Sequence, residues 1–502
     1  MGFIKTRIKN GFSFGAGIKN LLFENLTDKQ TFAKNAFWLA VSNIGGRLIR
    51  AAIIIYAARV LGAAGWGVFS YGITLVAFLT IFVDFGIDSI LTKESAKAKG
   101  DFLRQSRIIS TSLFIKLFLL VIGFFVVVFI APEFAILPGV KQLLNLMAAI
   151  LVFDTLRNFG FSLIRSREKM EFEAGLYLFT NLAIVAFGFA ALYIKPTAMS
   201  FTLAYAVGTA FGLMATLYVL RKDASSALSN FSWPLVKEIM SSAWPFGVSG
   251  ALSLLMLNTD IIIIGWFRSA EEVGFYSASV RIVQLLYIFG GVVASSSLPI
   301  FSRFVKEERE RLKAALKKIL KLVFAFSLPV SFCGIAAGGA MIDFIFGEEY
   351  IPAILSFRIL LLTLALSFSA FVLSNAVFVY DRQKNLIVYS AIGGFLNVGL
   401  DLILIPKFGI NGSALATIFS QIAADLYLWF IARRIIGFDL NLGIGKIFWT
   451  ALGSSIFLYV LIKYGIHILV AIPAAGVFYL LALYLLKESL FKEIKSILQA
   501  SS

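Results

Sequence analysis

The sequence contains one cysteine and one histidine in 502 residues. A lone thiol, Cys333, forms no internal disulfide, and a Cys/His metal cluster has no set of ligands to draw on. Charge is scarce as well, at 15% of residues against the roughly 25% of an ordinary soluble domain. No phosphate-cradling P-loop, no HExxH and no GxSxG in the strand-to-helix setting it requires is present, so ATP hydrolysis and zinc or serine hydrolysis have no candidate machinery. Residues 1–34 carry scattered Lys and Arg without a long apolar core before a small-residue cleavage site, so no cleaved signal peptide is expected. Within that stretch FIKTRIKNGFSF reads either as an interfacial anchor or as a flexible basic tail. His467 falls in a short turn near the end of the chain and reads as a surface residue.

What is abundant is apolar length. Hydrophobic residues make up 59% of the chain and mean hydropathy is +0.89, which excludes a soluble globular protein and predicts an all-α polytopic membrane protein. Segments long enough to span lie near 35–58, 66–90, 108–130, 141–164, 174–194 and 198–220. A second set lies near 240–267, 273–300, 316–340, 353–380, 385–405 and 411–432, and two more lie near 446–465 and 468–486. The expected count is about 14 transmembrane helices. The expected organisation is a tail (1–34), an N-lobe (35–220), a linker (221–239), a C-lobe (240–432), helices 13–14 (433–486) and a tail (487–502).

The connections alternate in charge. Basic stretches occur at 93–107, 165–169, 221–223, 303–321, 381–384 and 433–446 and in both tails, while the intervening loops hold at most one Lys or Arg each and include the acidic FGEEY at 346–350. By the positive-inside rule both termini, and residues 303–321, are expected on the cytoplasmic side of a cell membrane, with 343–352 outside. Topology thus accounts for the net charge of +17, and a nucleic-acid partner is not required. None of the loops expected outside exceeds about a dozen residues, which argues against a membrane enzyme that joins oligosaccharides there.

The first span carries Arg47 and Arg50 near its middle. A central Arg costs about 2.5–3.5 kcal/mol on insertion scales, so it persists where it faces protein or a hydrated path. Asn43, Arg47 and Arg50 follow 4 and 3 spacing and share one helix face. They are the leading candidates for binding an anion, because guanidinium stays protonated and forks onto phosphate oxygens. The alternative is structural pairing with Asp84 and Asp88 of the second span. Arg281 and Asp260 face the same choice between pairing with each other and function, and Asp84, Asp88 and Asp260 are also candidates for a coupling proton or sodium ion. Arg157 with Asp154 reads as a self-satisfied i, i+3 pair, and Lys116 and Arg358 as residues that snorkel. Gly45-Gly46 reads as small-residue packing.

The first twelve spans look duplicated. GWGVFSYG (65–72) resembles EVGFYSAS (272–279), RSREKM (165–170) resembles YDRQKN (380–385), and ILP (136–138) matches YIP (350–352). Because six spans is an even number, the halves are expected as two six-helix lobes related as parallel repeats.

Fourteen spans as six, six and two, the opening TFAKNAFWLAVSNIGGRLI, the LGAAGWGVFSYG turn, VDFGID followed by KESAK, and the late FGINGSALAT resemble polysaccharide biosynthesis proteins. These are the lipid-linked oligosaccharide flippases of the polysaccharide transporter family in the multidrug/oligosaccharidyl-lipid/polysaccharide exporter superfamily. The resemblance implies a two-lobed transporter, not an enzyme and without a cofactor. It would pass a polyprenyl diphosphate-linked oligosaccharide across the bilayer by alternating access, with Arg47, Arg50, Asn43 and Arg281 as substrate-binding candidates and polysaccharide assembly proteins as potential partners. A flippase for the lipid-linked peptidoglycan precursor and a cation-coupled multidrug antiporter are the alternatives in the same superfamily. The second fits less well, since arginines in the first span would repel cationic drugs.

Overall fold

The computed structural model describes residues 23–223, 229–305, 309–438 and 442–486. The tails outside this range, with the candidate anchor at 3–14, and parts of the 221–239, 303–321 and 433–446 stretches lie outside the described residues. The described residues form helices and turns, with no strand among them. In chain order the helices are α1 (Asp28–Asp84), α2 (Ile87–Lys97), α3 (Phe102–Phe125), α4 (Val140–Ser166), α5 (Met170–Ile194), α6 (Ala198–Val219), α7 (Trp233–Phe267), α8 (Ala270–Phe304) and α9 (Arg309–Phe346). They continue with α10 (Thr363–Phe378, preceded by Ile354–Leu361), α11 (Gln383–Ile436), α12 (Gly445–Lys463) and α13 (Ile468–Leu485).

Twelve helices among the described residues are long and apolar enough to cross a membrane. Two of them cross twice. A straight 57-residue helix would run about 85 Å, far beyond a bilayer, and α1 is broken at Gly62, whose φ of 67° belongs to the left-handed region that glycine tolerates. Contacts with neighbours show the reversal. Gly45 and Gly46 meet Leu178 and Tyr177 early in α5, and Ile53 meets Gly188 late in it. Past the break, Gly72 meets Met147 early in α4 and Val83 lies beside Gly123. The same holds for α11 around Gly409 (φ 57°), where Gly412 packs on the backbone of Leu404 and Tyr389 reaches Asp425 across the hairpin. Fourteen passes result.

The ends of the passes define two faces: a basic face carrying the Lys/Arg-rich connections, and an opposite face where the Gly62 and Gly409 turns lie. Polar turns close the basic face with left-handed Glu168 and Asp381, which fall in the two matched RSREKM and YDRQKN stretches.

The duplication is visible where the lobes meet. At the opposite face Gly67 sits against the backbone of Ala270, and Gly274 sits against the backbone of Ala63. The offset between the two pairs is the offset between GWGVFSYG and EVGFYSAS, so the contact is reciprocal, as a pseudo-two-fold axis along the membrane normal requires. Further bonds between lobes close the same face. Arg59 Nε donates to the carbonyl of Ile345 (2.8 Å) at the end of α9, Glu349 Oε1 accepts from Ala63 N–H (2.7 Å), and the buried Tyr350 hydroxyl donates to Ala58 carbonyl (2.8 Å). Nearer the basic face the break at Phe85-Gly86 packs on Ala243 and Gly247 of α7.

The largest core is shared by both lobes and contains Trp66, Tyr276, Tyr350, Phe357 and Phe368. The outer faces are apolar too. On α3, Phe114, Phe118, Val121, Ile122 and Phe125 are exposed, as a lipid-facing pass requires.

Candidate functional site

The first arm of α1, which packs against α5 and α8, carries Arg47 and Arg50 past the middle of its length. The packing is close: a side chain at Gly46 would enter the Tyr177 ring. Arg50 Nε donates to Asn181 Oδ1 (2.8 Å), and Asn181 is itself oriented by donating from its amide to Tyr177 carbonyl (2.8 Å). Arg47 is exposed. Asn43 is also exposed and turns its amide back to Leu39 carbonyl (2.8 Å).

From the other lobe, α8 brings Arg281 into electrostatic range of Arg50 and Tyr205. Its Nη1 donates to Gln284 Oε1 (3.3 Å), while its buried Nε has no hydrogen-bond partner. Arg157 of α4 joins the group through Tyr205, whose electrostatic neighbours are Arg50, Asp154, Arg157 and Tyr177. The Arg157–Asp154 ion pair forms at 2.8 Å, with the guanidinium over the Phe161 ring. Arg50 and Arg157 therefore share Asp154 as their acidic neighbour along the seam between the lobes, with Arg281 beside Arg50. The sequence reading set Arg157 aside as self-satisfied and so missed its place there.

Beside this cationic seam lies apolar space. One cavity of about 710 Å³ is bounded by Ile44 and Leu48 of α1 and by Leu285, Phe289 and Val292 of α8. It shares Leu286, Leu322 and Phe326 with a second cavity of about 600 Å³ that reaches α12 and α13 at Leu458 and Tyr479. Ile44 and Leu48 immediately adjoin Asn43 and Arg47 in sequence, so apolar and cationic surfaces meet on one helix.

The acids divide by lobe. In the N-lobe the buried and half-buried acids have cations: Asp84 and Asp88 share Lys116 (3.0 Å to Asp84), Glu171 pairs with Lys34 (2.8 Å), and Glu173 takes a two-pronged bond from Arg165 (Nε to Oε2, 2.8 Å). The Asp84 carboxylate also accepts from the N–H of Gly86 and Asp88 (3.3 and 3.2 Å), capping α2. Two expectations are corrected here. Asp84 and Asp88 do not pair with Arg47 or Arg50, and Lys116 does not snorkel: α3 begins at Phe102, which puts Lys116 about 21 Å along the helix and inside the lobe.

In the C-lobe no Lys or Arg reaches the buried acids among the described residues. Asp260 Oδ2 accepts from the Tyr276 hydroxyl and from Thr417 Oγ1 (3.1 Å). Asp260 and Arg281 do not meet, because Arg281 lies five residues beyond Tyr276, about 140° further around α8. Asp401, fully buried, faces Asp260. Asp401 lies within reach of Ser413 and Asp260, yet its carboxylate oxygens, both amide atoms of fully buried Asn397, the Ser413 hydroxyl and Asp260 Oδ1 make no well-aligned hydrogen bond. Such atoms cost about 1–3 kcal/mol each when left alone in a core. The donor set is all oxygen, two carboxylates with neutral groups and no sulfur or imidazole, which suits a hard monovalent cation or a proton. Asp260 is a candidate from the sequence and Asp401 and Asn397 are not among those candidates, although their i, i+4 spacing on an apolar pass is the signal carried by Asn43 and Arg47.

Known proteins place the chain. The polysaccharide biosynthesis protein family matches residues 32–305, and the MatE family matches residues 245–403. The chain is 24% identical over 417 residues to a putative O-antigen transporter of Shigella flexneri, covering 80% of this chain and 98% of that one. It is 23% identical over 475 residues to the probable low-salt glycan biosynthesis flippase Agl15 of Haloferax volcanii, covering 92% and 97%. In fold it is similar to the lipid II flippase MurJ in an inward closed conformation, with a TM-score of 0.71 at 17% identity over 90% of this chain and 99% of that one. A family match over more than half the chain, on a fourteen-pass fold of two six-pass lobes, makes it a member of the polysaccharide biosynthesis protein family.

Proposed function

We propose that this protein is a flippase that moves a polyprenyl diphosphate-linked oligosaccharide from the cytoplasmic to the outer leaflet of the cell membrane by alternating access. The observation that carries this reading is the seam of Arg50, Arg157 and Arg281, contributed by both lobes and bordered by apolar cavities, with Arg47 exposed one turn before Arg50. A diphosphate is a doubly charged group that forked guanidinium donors can hold, while its lipid tail needs a wholly apolar path beside them. The names of the relatives supply the substrate class.

In this reading the basic face is cytoplasmic, with both termini there. Residues 35–220 and 240–432 move as two bodies about the seam, and the bonds of Arg59, Glu349 and Tyr350 describe a state closed on the outer side. The Asp260/Asp401 pocket takes the coupling ion, a proton or sodium. Transfer needs no covalent bond of the cargo to be made or broken, so the side chains act on it by binding and release alone.

The test is flipping of labelled lipid-linked oligosaccharide in reconstituted vesicles by Arg47→Gln and Arg50→Gln, matched to wild type for folded protein. Each is expected to slow transfer severalfold; equal rates at equal folded amounts would remove these arginines from the site. A parallel assay with a lipid-linked peptidoglycan precursor, which presents the same diphosphate, separates the two cargo classes.

A further inference from the structure

The second arm of α11 carries Ser413, Thr417, Gln421 and Asp425 at strict four-residue spacing. They form one polar stripe, rising about 6 Å per step through an otherwise apolar pass. Its upper end is the Asp260/Asp401 pocket. From there Gln421 donates to Ser367 Oγ of α10 (2.6 Å), and Tyr287 of α8 shares a hydrogen bond with Thr363 Oγ1 (2.8 Å). Tyr287 lies within electrostatic range of both Asp260 and Asp425. At the lower end Tyr389 of the first arm donates to Asp425 Oδ1 (3.2 Å), and Asp425 Oδ2 has no partner although the residue is only 3% exposed. Eight residues further on, Arg433 and Arg434 mark the basic face.

The titratable groups around Asp425 are Tyr389 and Tyr287, and no Lys or Arg is among them in the described residues. A carboxylate buried without a cation must acquire one or hold a proton. One carboxyl and one phenol are too few oxygens to replace the hydration shell of a metal ion. They suffice for a proton.

We propose that Asp425 is an inner protonation site through which the coupling proton leaves the Asp260/Asp401 pocket for the basic face. This rests on the coupling reading above and deepens it. The O–H bond of a protonated carboxyl in the Asp260/Asp401 pocket breaks as a new O–H bond forms on Asp425. That bond then breaks as the proton passes to water at the basic face, leaving a carboxylate that the Tyr389 hydroxyl steadies. No electron is transferred, and the charge moved is one proton.

The experiment uses purified full-length protein in proteoliposomes, with a fluorescent undecaprenyl diphosphate bearing one N-acetylglucosamine as probe. The readout is the ratio of flipping rates with and without a pH gradient, acidic on the opposite face. In wild type the ratio exceeds one. In Asp425→Asn it is expected to fall to one, and Asp425→Glu is expected to restore it; a purely structural role would lower the folded amount and leave the ratio alone. An Asp425→Asn ratio equal to wild type overturns the proposal. If Asp260→Asn alone loses the gradient response, the coupling reading stands and the inner site falls. If only a sodium gradient accelerates wild type, a proton route is excluded. Infrared difference spectra between acid and neutral pH report the protonated carboxyl whether or not the probe is transported. A carboxyl band missing from Asp425→Asn is expected, and spectra identical to wild type would count against the site.

Discussion

Lys116 shows how far a single side chain departs from its local sequence. Eight residues into an apolar run it reads as a snorkelling cation, yet it is 1% exposed and clasps Asp84 and Asp88 across the bend of VDFGID. Two carboxylates and one ammonium leave a net negative cluster held in place by helix capping at Gly86 and Asp88. Lys116→Met should therefore leave two carboxyl groups in the lobe without their ammonium partner, at a cost of about 3–5 kcal/mol. The measurement is thermal unfolding in detergent, where a clear fall in midpoint is expected and partial recovery in Lys116→Met/Asp88→Asn. An unchanged midpoint would mean the cluster carries no stability. Arg47 should behave differently: it is exposed, and its replacement by Gln should cost transport before folding.

At the scale of helices, glycines decide where the lobes can touch. Gly274 on α8 lies against the backbone of Ala63, and Gly67 lies against Ala270, so a methyl group at either has only main chain to push on. Gly274→Ala is expected to pry the opposite face apart, costing on the order of 1–3 kcal/mol. Gly291, further along the same helix, has nothing within 4 Å of an added Cβ, and Gly291→Ala should stabilise by roughly 0.5–1 kcal/mol as a helix interior gains a better former. Opposite signs from one substitution type in one helix are the check, read as unfolding midpoints of the two purified variants. The sequence reading saw GWGVFSYG and EVGFYSAS as paired elements. That these elements touch each other, through the glycines they share, depends on the axis relating the lobes and has no signature in either segment alone.

For the whole molecule the decisive quantity is orientation. The Lys/Arg bias alternates through all fourteen passes, and Glu310 and Glu348, both exposed, lie at opposite ends of α9 and the turn after it. With Cys333 replaced by Ala, a membrane-impermeant thiol reagent applied to intact cells is expected to label Glu348→Cys and to spare Glu310→Cys. Labelling of Glu310→Cys alone would invert the assignment of faces, and with it the direction of the proposed transfer.

The number of passes, their alternation, the duplication and the place of Arg47 and Arg50 near the middle of the first span were determined by the sequence alone. Hydrocarbon forces each segment to satisfy its own backbone, so length, apolarity and 3.6-residue spacing carry that information locally. Which charge meets which was settled only in the tertiary structure. Lys116 finds Asp84 32 residues away, Thr417 finds Asp260 157 residues away, and Asp401 and Asp425 find no cation. Those outcomes depend on the rotation of each helix about its own axis and on which helices the two lobes bring side by side, and neither is written in the spacing of any one pass.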